Sequence, residues 1–431
     1  MKARRSRLYF PICFAALLAA WNGMAHATTY TWTGANVSDW FTDGNWDQAG
    51  FPNDNDAVVI GYGTPLLTNS TASLASLTIS GGTLTCSNWA TRIIATEVLI
   101  TNIGAKVTLP AAFTDSEMSN RVWIACSNIT IAAGATIDAD GKGWSGKKYG
   151  AGPEKGFGPG APISGSYNGA SYGGYGREDN HVLNRGLIYG SEAEPIDPGS
   201  GGSGYTGNYN GGDGGGAVRI EAAGDVILNG KITANAGDPY SNGGGGGSGG
   251  GIYISCNKIE GSGIVMANGS TSIGNSKSGG GGRIAVTYNS VAQSAIAVPA
   301  ISFFCSSPSG SSSGAGDIGT LYFTDNRFLE RNPLTGITGQ WHSASANINF
   351  AQLTVSNARI RFVTDSVSLT VTNELLLTAN AIVEIGGNVT CSNFWWDYQA
   401  AAALGGKLPR PVTGMTSNPR LECGSIALTN G

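Results

Sequence analysis

The chain has 431 residues, of which 13% are charged, with 25 basic and 29 acidic side chains and a net charge of −4. An acidic, charge-poor chain offers no clustered Lys and Arg for phosphates, which argues against a nucleic-acid partner. Its 67 glycines follow no Gly-X-Y period, and hydrophobic residues punctuate nearly the whole length, so collagen, a flexible linker and a disordered chain are all excluded.

Residues 1–27 predict an export signal peptide. Lys2, Arg4, Arg5 and Arg7 make a basic start, Leu8 to Trp21 is apolar, and Ala25-His26-Ala27 fits the small-x-small cleavage rule. The apolar stretch is shorter than the roughly 20 residues of a transmembrane span. The expected mature protein begins at Thr28, is extracellular or on the cell surface, and keeps no transmembrane segment. Four basic residues leave with the leader, so 21 remain against 29 acids and the mature charge is −8. Cys86, Cys126, Cys256, Cys305, Cys391 and Cys423 remain, an even number that permits disulfides in an exported protein. None has CxxC spacing, and isolated cysteines in strands read as small buried hydrophobes.

Residues 28–125 are read as N-terminal β-coils opened by a Trp-rich segment that holds Trp32, Trp40 and Trp46. A unit then recurs: a strand, a short bend, another strand. Leu77-Thr78-Ile79-Ser80-Gly81-Gly82-Thr83-Leu84-Thr85 is one example, and Ile129-Thr130-Ile131 with Thr136-Ile137-Asp138-Ala139 is another. β-branched content and alternation two apart favour strands throughout.

Residues 126–325 carry the glycine blocks. Gly214-Gly215-Gly216-Ala217-Val218-Arg219-Ile220 recurs as Gly249-Gly250-Gly251-Ile252-Tyr253-Ile254 and as Gly279-Gly280-Gly281-Gly282-Arg283-Ile284-Ala285-Val286. Aligning Val218, Ile252 and Ile284 gives steps of 34 and 32 residues, a period of stacked repeats. One unit cannot bury its apolar face alone, so the copies must stack. Glycine there would serve positive φ and close backbone approach between neighbouring turns.

A long insertion, residues 141–214, interrupts this region with Trp144, Tyr149, Phe157, Tyr167, Tyr172, Tyr175, Tyr189, Tyr205 and Tyr209 among glycine and serine. Excursions of this length are often functional, and Tyr- and Gly-rich surfaces suit glycan or protein recognition. Tyr167, Tyr172, Tyr175 and Tyr189 are therefore the candidate ligand-binding residues. The competing reading is that the aromatics cover the flank of the coil stack. Trp40, Trp46, Trp395 and Trp396 read as cap or core.

Residues 326–431 return to ordinary coils, as in Leu375-Leu376-Leu377 and Ile382-Val383-Glu384-Ile385. The one helical signal is Tyr398 to Leu404. Ser425 to Gly431 reads as part of a further rung, so these C-terminal coils are expected to be incomplete and the chain to be a fragment of a larger protein. Strand-rich coils joined by bends predict an all-β parallel β-helix, a solenoid with glycine-rich loops and one long insertion; a β-sandwich array is the runner-up.

At these phrases the chain resembles exported, glycine-rich bacterial β-helix proteins of adhesin-like or autotransporter-like kind. Ile232-Thr233-Ala234-Asn235-Ala236-Gly237 and Gly316-Asp317-Ile318-Gly319-Thr320-Leu321-Tyr322-Phe323 extend the likeness, which covers about residues 126–325. The resemblance implies a right-handed parallel β-helix of the pectin-lyase-like kind outside the cytoplasm. It carries no catalytic motif, so it assigns no catalytic residue.

The search for chemistry ends the same way. His181 and His342 survive leader cleavage, neither in a metal-spaced cluster, and no Asp-Asp, Gly-His-Gly or Arg-Ile-Lys of the polygalacturonase type occurs. No cofactor is expected; Ca²⁺ is the one ion that Asp138, Asp140 and Lys142, or Asn53-Asp54-Asn55-Asp56, would bring to mind. Turns explain both groups more simply. The expected role is structural or adhesive and non-catalytic, with glycans or cell-surface and matrix components as partners. The alternative is a carbohydrate-active β-helix, either a lyase or hydrolase or a glycan-binding module.

Overall fold

The computed structural model describes residues 27–35, 38–114, 116–148, 155–162, 167–178, 184–204, 209–240, 243–308, 315–342, 347–363, 367–385, 388–396, 420–422 and 425–428. Residues 1–26 of the leader, His181, Tyr149, Tyr205, Cys423 and the segment Tyr398 to Leu404 lie outside them, as do the side chains of Trp395 and Trp396.

The chain winds into a parallel β-helix, and every pairing between its strands is parallel. Three ladders of strands run along it. The first joins Thr29–Thr31, Ala57–Ile60, Leu74–Ile79, Ile93–Ile100, the second half of Val122–Ile131, Asp225–Leu228 and Lys258–Glu260. The second joins the first half of Val122–Ile131 to Ala217–Ala222, Gly251–Ser255, Arg283–Thr287 and Thr320–Phe323. The third climbs from Thr83–Cys86 through Lys106–Thr108, Thr136–Asp138, Lys231–Thr233 and Ile264–Met266 to Ser302–Phe304. Towards the C-terminus a separate four-stranded sheet forms from Asn347–Ser356, Ser368–Thr378, Asn388–Trp396 and Ser425–Leu428.

The core is a set of columns. Val122, Val218, Ile252, Ile284 and Leu321 are in register, one per coil, so the repeat read from the glycine blocks is the stacking repeat of the structure. Val58, Leu77, Val98, Ile129, Val226 and Ile259 form a second column, and Leu84, Val107, Ile137, Ile232, Val265 and Phe303 a third. All are buried to 1% exposure or less, and burying each aliphatic side chain contributes about 1.5–3 kcal/mol. Cys86, Cys256, Cys305 and Cys391 are free and buried among them, so they act as small apolar fillers.

Polar residues are stacked too. The side-chain oxygen of Asp140 accepts the Asn235 backbone N–H at 2.7 Å, Asn235 accepts that of Asn268 at 2.9 Å, and Asn268 that of Ser306 at 2.8 Å. Where the first ladder would add a strand above Lys258–Glu260, a short helix, Ser290–Ser294, takes its place. Its fully buried Gln293 accepts the Ile259 N–H at 2.8 Å and donates to the Ile259 carbonyl at 2.9 Å, so one amide mimics the missing strand. At the opening end Trp32, Trp40 and Trp46 pack edge-to-face at 5.1 and 4.8 Å, and all three are buried.

The described part of the insertion does not form a loose surface. Its glycine segments, together with residues 244–250 and 279–282, pack backbone against backbone in a buried block. Residues 199–203 exchange backbone hydrogen bonds with Trp144 and Lys147, Phe157, Asn168, residues 212–215 and residues 245–248. A strand in a sheet has two neighbours; this segment has five, and that density leaves no room for Cβ. A Cβ on Gly245 would lie 1.7 Å from the Asn168 carbonyl oxygen, and one on Gly214 would lie 1.9 Å from that of Gly199. Close approach, one of the two glycine roles expected from the sequence, is thus the reason for the blocks. Positive φ is not: none of Gly214 to Gly216, Gly249 to Gly251 or Gly279 to Gly282 adopts it.

Candidate functional site: an aromatic cleft beside the glycine block

A cleft of about 390 Å³ opens where the coils meet the insertion, lined by Trp89, Ser116, Glu117, Met118, Trp144, Pro159, Tyr189 and Asp197. A second, of about 610 Å³, shares Ser116, Trp144 and Pro159 with it and adds Lys155 and Phe157. Trp89 sits on the turn before Ile93–Ile100, and residues 116–118 lie in the connection that leads to Val122–Ile131. Trp144 packs against Phe113 with ring centres 4.7 Å apart, and its Nε1–H has no acceptor among the described residues.

The opposite wall, Tyr189 and Asp197, belongs to a loop strapped across the outside of the second ladder. Glu192 pairs with His342 at 2.7 Å and with Arg283 at 3.5 Å, and Glu194 pairs with Arg219 at 2.9 Å. Arg283, only 2% exposed, donates from Nε to the Tyr189 carbonyl and from Nη1 to Thr320 Oγ1, both at 3.0 Å. The Tyr189 hydroxyl donates to the Pro198 carbonyl at 2.6 Å and accepts from Ser200 Oγ at 2.9 Å. Burial pushes the Asp197 carboxyl above its usual range, with the Arg283 charge opposing. Burial likewise holds the His342 imidazole below its usual value, against the pull of Glu192 and with the Arg283 charge adding to the fall.

Behind Trp89 the outer face of the coils carries a cationic stack. The Arg92 guanidinium lies 3.6 Å from the Trp123 ring centre, and Arg121 lies 3.9 Å from Trp123 and 4.5 Å from Trp89. Trp123 donates from Nε1 to Glu221 at 2.6 Å. Burial, helped by Arg219 and Arg92, lowers the Arg121 guanidinium to about 10. Arg121 is 6% exposed and does not line the cleft.

Of the four tyrosines singled out from the sequence, Tyr189 alone lines the cleft. Tyr172 packs against it in a tilted arrangement at 4.6 Å but is fully buried, so it has no surface to offer a ligand. Tyr175 carries the Arg185 guanidinium at 3.7 Å, and half-buried Tyr167 accepts the Lys277 N–H through its backbone carbonyl at 2.8 Å. Trp89, Glu117 and Asp197 escaped the sequence reading because they come from three separate segments. The repeat signals only the face that anchors the strap: Arg219, which pairs with Glu194, shares one register position with Trp123 and Tyr253.

The carboxylates considered for Ca²⁺ serve the fold. Asp138 pairs with Lys106 at 2.9 Å and accepts the Asp140 N–H, while Asp140 holds Asn235. Asp56 accepts the N–H groups of Thr28 and Asn53, and Asp54 that of Ser73. Among the described residues no three His, Cys, Asp or Glu side chains converge as metal ligands, and no helix is long and apolar enough to cross a membrane.

Compared with known proteins, the chain matches the G8 domain over residues 45–141, the span that supplies Trp89 and residues 116–118 of the cleft. Neither the curated proteins nor the solved structures include a match to the chain. Over those coils the protein is similar to G8 domains, which are found in extracellular proteins.

Proposed function

We propose that this protein is an exported, non-catalytic β-solenoid with an adhesive role, and that the aromatic cleft is where it holds a glycan. The supporting observation is the cleft itself: Trp89, Trp144 and Tyr189 line one opening with Glu117 and Asp197 beside them. Aromatic faces cover the C–H faces of sugar rings, while carboxylates accept hydrogen bonds from hydroxyls. The walls come from a packed coil and an ion-paired strap, so little ordering accompanies binding. The likeness of residues 45–141 to an extracellular domain agrees with a partner outside the cell. The pectin-lyase-like kinship implied by the sequence stays part of this reading.

A glycan array probed with the mature protein tests it, with Trp89→Ala as the cleft variant. The expected result is binding to a defined set of glycans that Trp89→Ala weakens by about tenfold or more. Binding that survives the substitution would move the site elsewhere. One observation favours turnover as a second reading: Asp197, raised by burial, shares the cleft with Glu117, as an acid and a base would. Release of new reducing ends or unsaturated sugars from a bound glycan would establish that reading.

A further inference from the structure

We infer that the cleft selects sugars that carry a free amine over neutral and acidic ones, an inference that rests on the glycan reading above. Among the described residues its lining contains two carboxylic acids, Glu117 and Asp197, and no Lys, Arg or His. Glu117 is exposed on its connection, and Asp197 is half-buried on the strap. Trp89, Trp144 and Tyr189 line the same cleft, and aromatic rings attract an ammonium group as well as C–H bonds.

Arg121, Arg219 and Arg283 lie near the cleft but do not line it. Arg121 is buried against Trp123 and Trp89, and Arg219 and Arg283 are paired with Glu194 and Glu192 on the strap. Lys155 lines only the neighbouring cleft. A uronate in a cleft with Glu117 and Asp197 would meet like charge, and a neutral sugar would gain hydrogen bonds from its hydroxyls but no charge attraction. An ammonium gains from both. Complementarity of this kind sets selectivity more than raw affinity.

The test is calorimetric titration of the mature protein with glucosamine, N-acetylglucosamine and galacturonate oligomers of equal length, at about pH 6, where the amine is protonated. The glucosamine oligomer is expected to bind about tenfold more tightly than its acetylated counterpart, with galacturonate weakest. Glu117→Gln should cut that preference about threefold, and added salt should shrink it further. Equal affinity for the three oligomers, or tighter galacturonate, overturns the amine selectivity and leaves the glycan reading standing. If none of the three binds and the array is also blank while circular dichroism reports a folded β protein, the glycan reading itself has failed.

Discussion

In residues 57–138 neighbouring coils meet through side chains: Val58, Leu77, Val98 and Ile129 form a column, and each contributes its own apolar surface. In residues 199–204, 211–216 and 244–250 they meet through bare backbone, with carbonyl oxygens closer to a neighbour's Cα than any side chain allows. Both solutions close-pack the interior, but they differ in what they tolerate. A side-chain column can repack around a changed methyl group. A backbone array has no rotamers to adjust, and it also carries the high entropic cost of ordering glycine.

That contrast is open to attack, most sharply at glycine. Gly245→Ala would place a methyl 1.7 Å from a carbonyl oxygen that is held in the block, and should destabilise by about 3 kcal/mol or more. Gly61→Ala meets nothing nearer than Ser80 Oγ at 3.9 Å and should change stability by less than about 0.5 kcal/mol. Denaturant melts of the two variants settle whether glycine count or glycine position matters; similar losses would remove the distinction.

Gln293→Leu probes the coils where a side chain stands in for a strand. It would strand the N–H and carbonyl of Ile259 in the interior, at a cost of about 2 kcal/mol. Hydrogen exchange at the Ile259 amide would reveal the opening even where global melting moves little. An unchanged exchange rate would show that the amide pairing is dispensable.

The smallest effects separate the regions by pH. Glu384, on the C-terminal coils, pairs with Arg359 at 3.0 Å and with Arg361. Burial alone would raise its carboxyl, but the Arg359 charge and the Arg361 hydrogen bond bring it below the usual value. Its contribution is therefore complete above about pH 4.3 and is lost as pH falls through the lower folded value. Asp197 on the strap has the opposite sign: its raised folded pKa favours folding below about pH 3.9, and that benefit is lost as pH rises through the folded value. Melting temperatures between about pH 3 and 7 should show Glu384→Gln flattening the acid limb and Asp197→Asn removing a decline in the other direction. Parallel slopes for the two variants would refute the assignment.

Much of the architecture was legible because a solenoid writes its contacts locally. Val218, Ile252 and Ile284 announce their own register, since each occupies the same place after a glycine block and each must face the same interior. Asp140, Asn235 and Asn268 could have been read in the same way. The fate of the insertion was hidden. Gly199 bonds to Gly215, and Ser203 to Asn168, pairings between segments with no periodic relation, and glycine carries no side chain to mark its partner. The tyrosines there read as a surface for the same reason: composition says that they are aromatic but not that Tyr172 lies beneath the strap.

Local order along the chain thus determined the strands, the turns between them, the inward columns and the period of stacking, because alternation two residues apart leaves one face apolar whatever lies far away. Only the tertiary structure decided which glycine segments became neighbours, where the strap was anchored, and that Trp89, Glu117, Tyr189 and Asp197 surround one opening. Those outcomes depend on shape complementarity and ion pairing between distant segments, and on the space that missing side chains leave free.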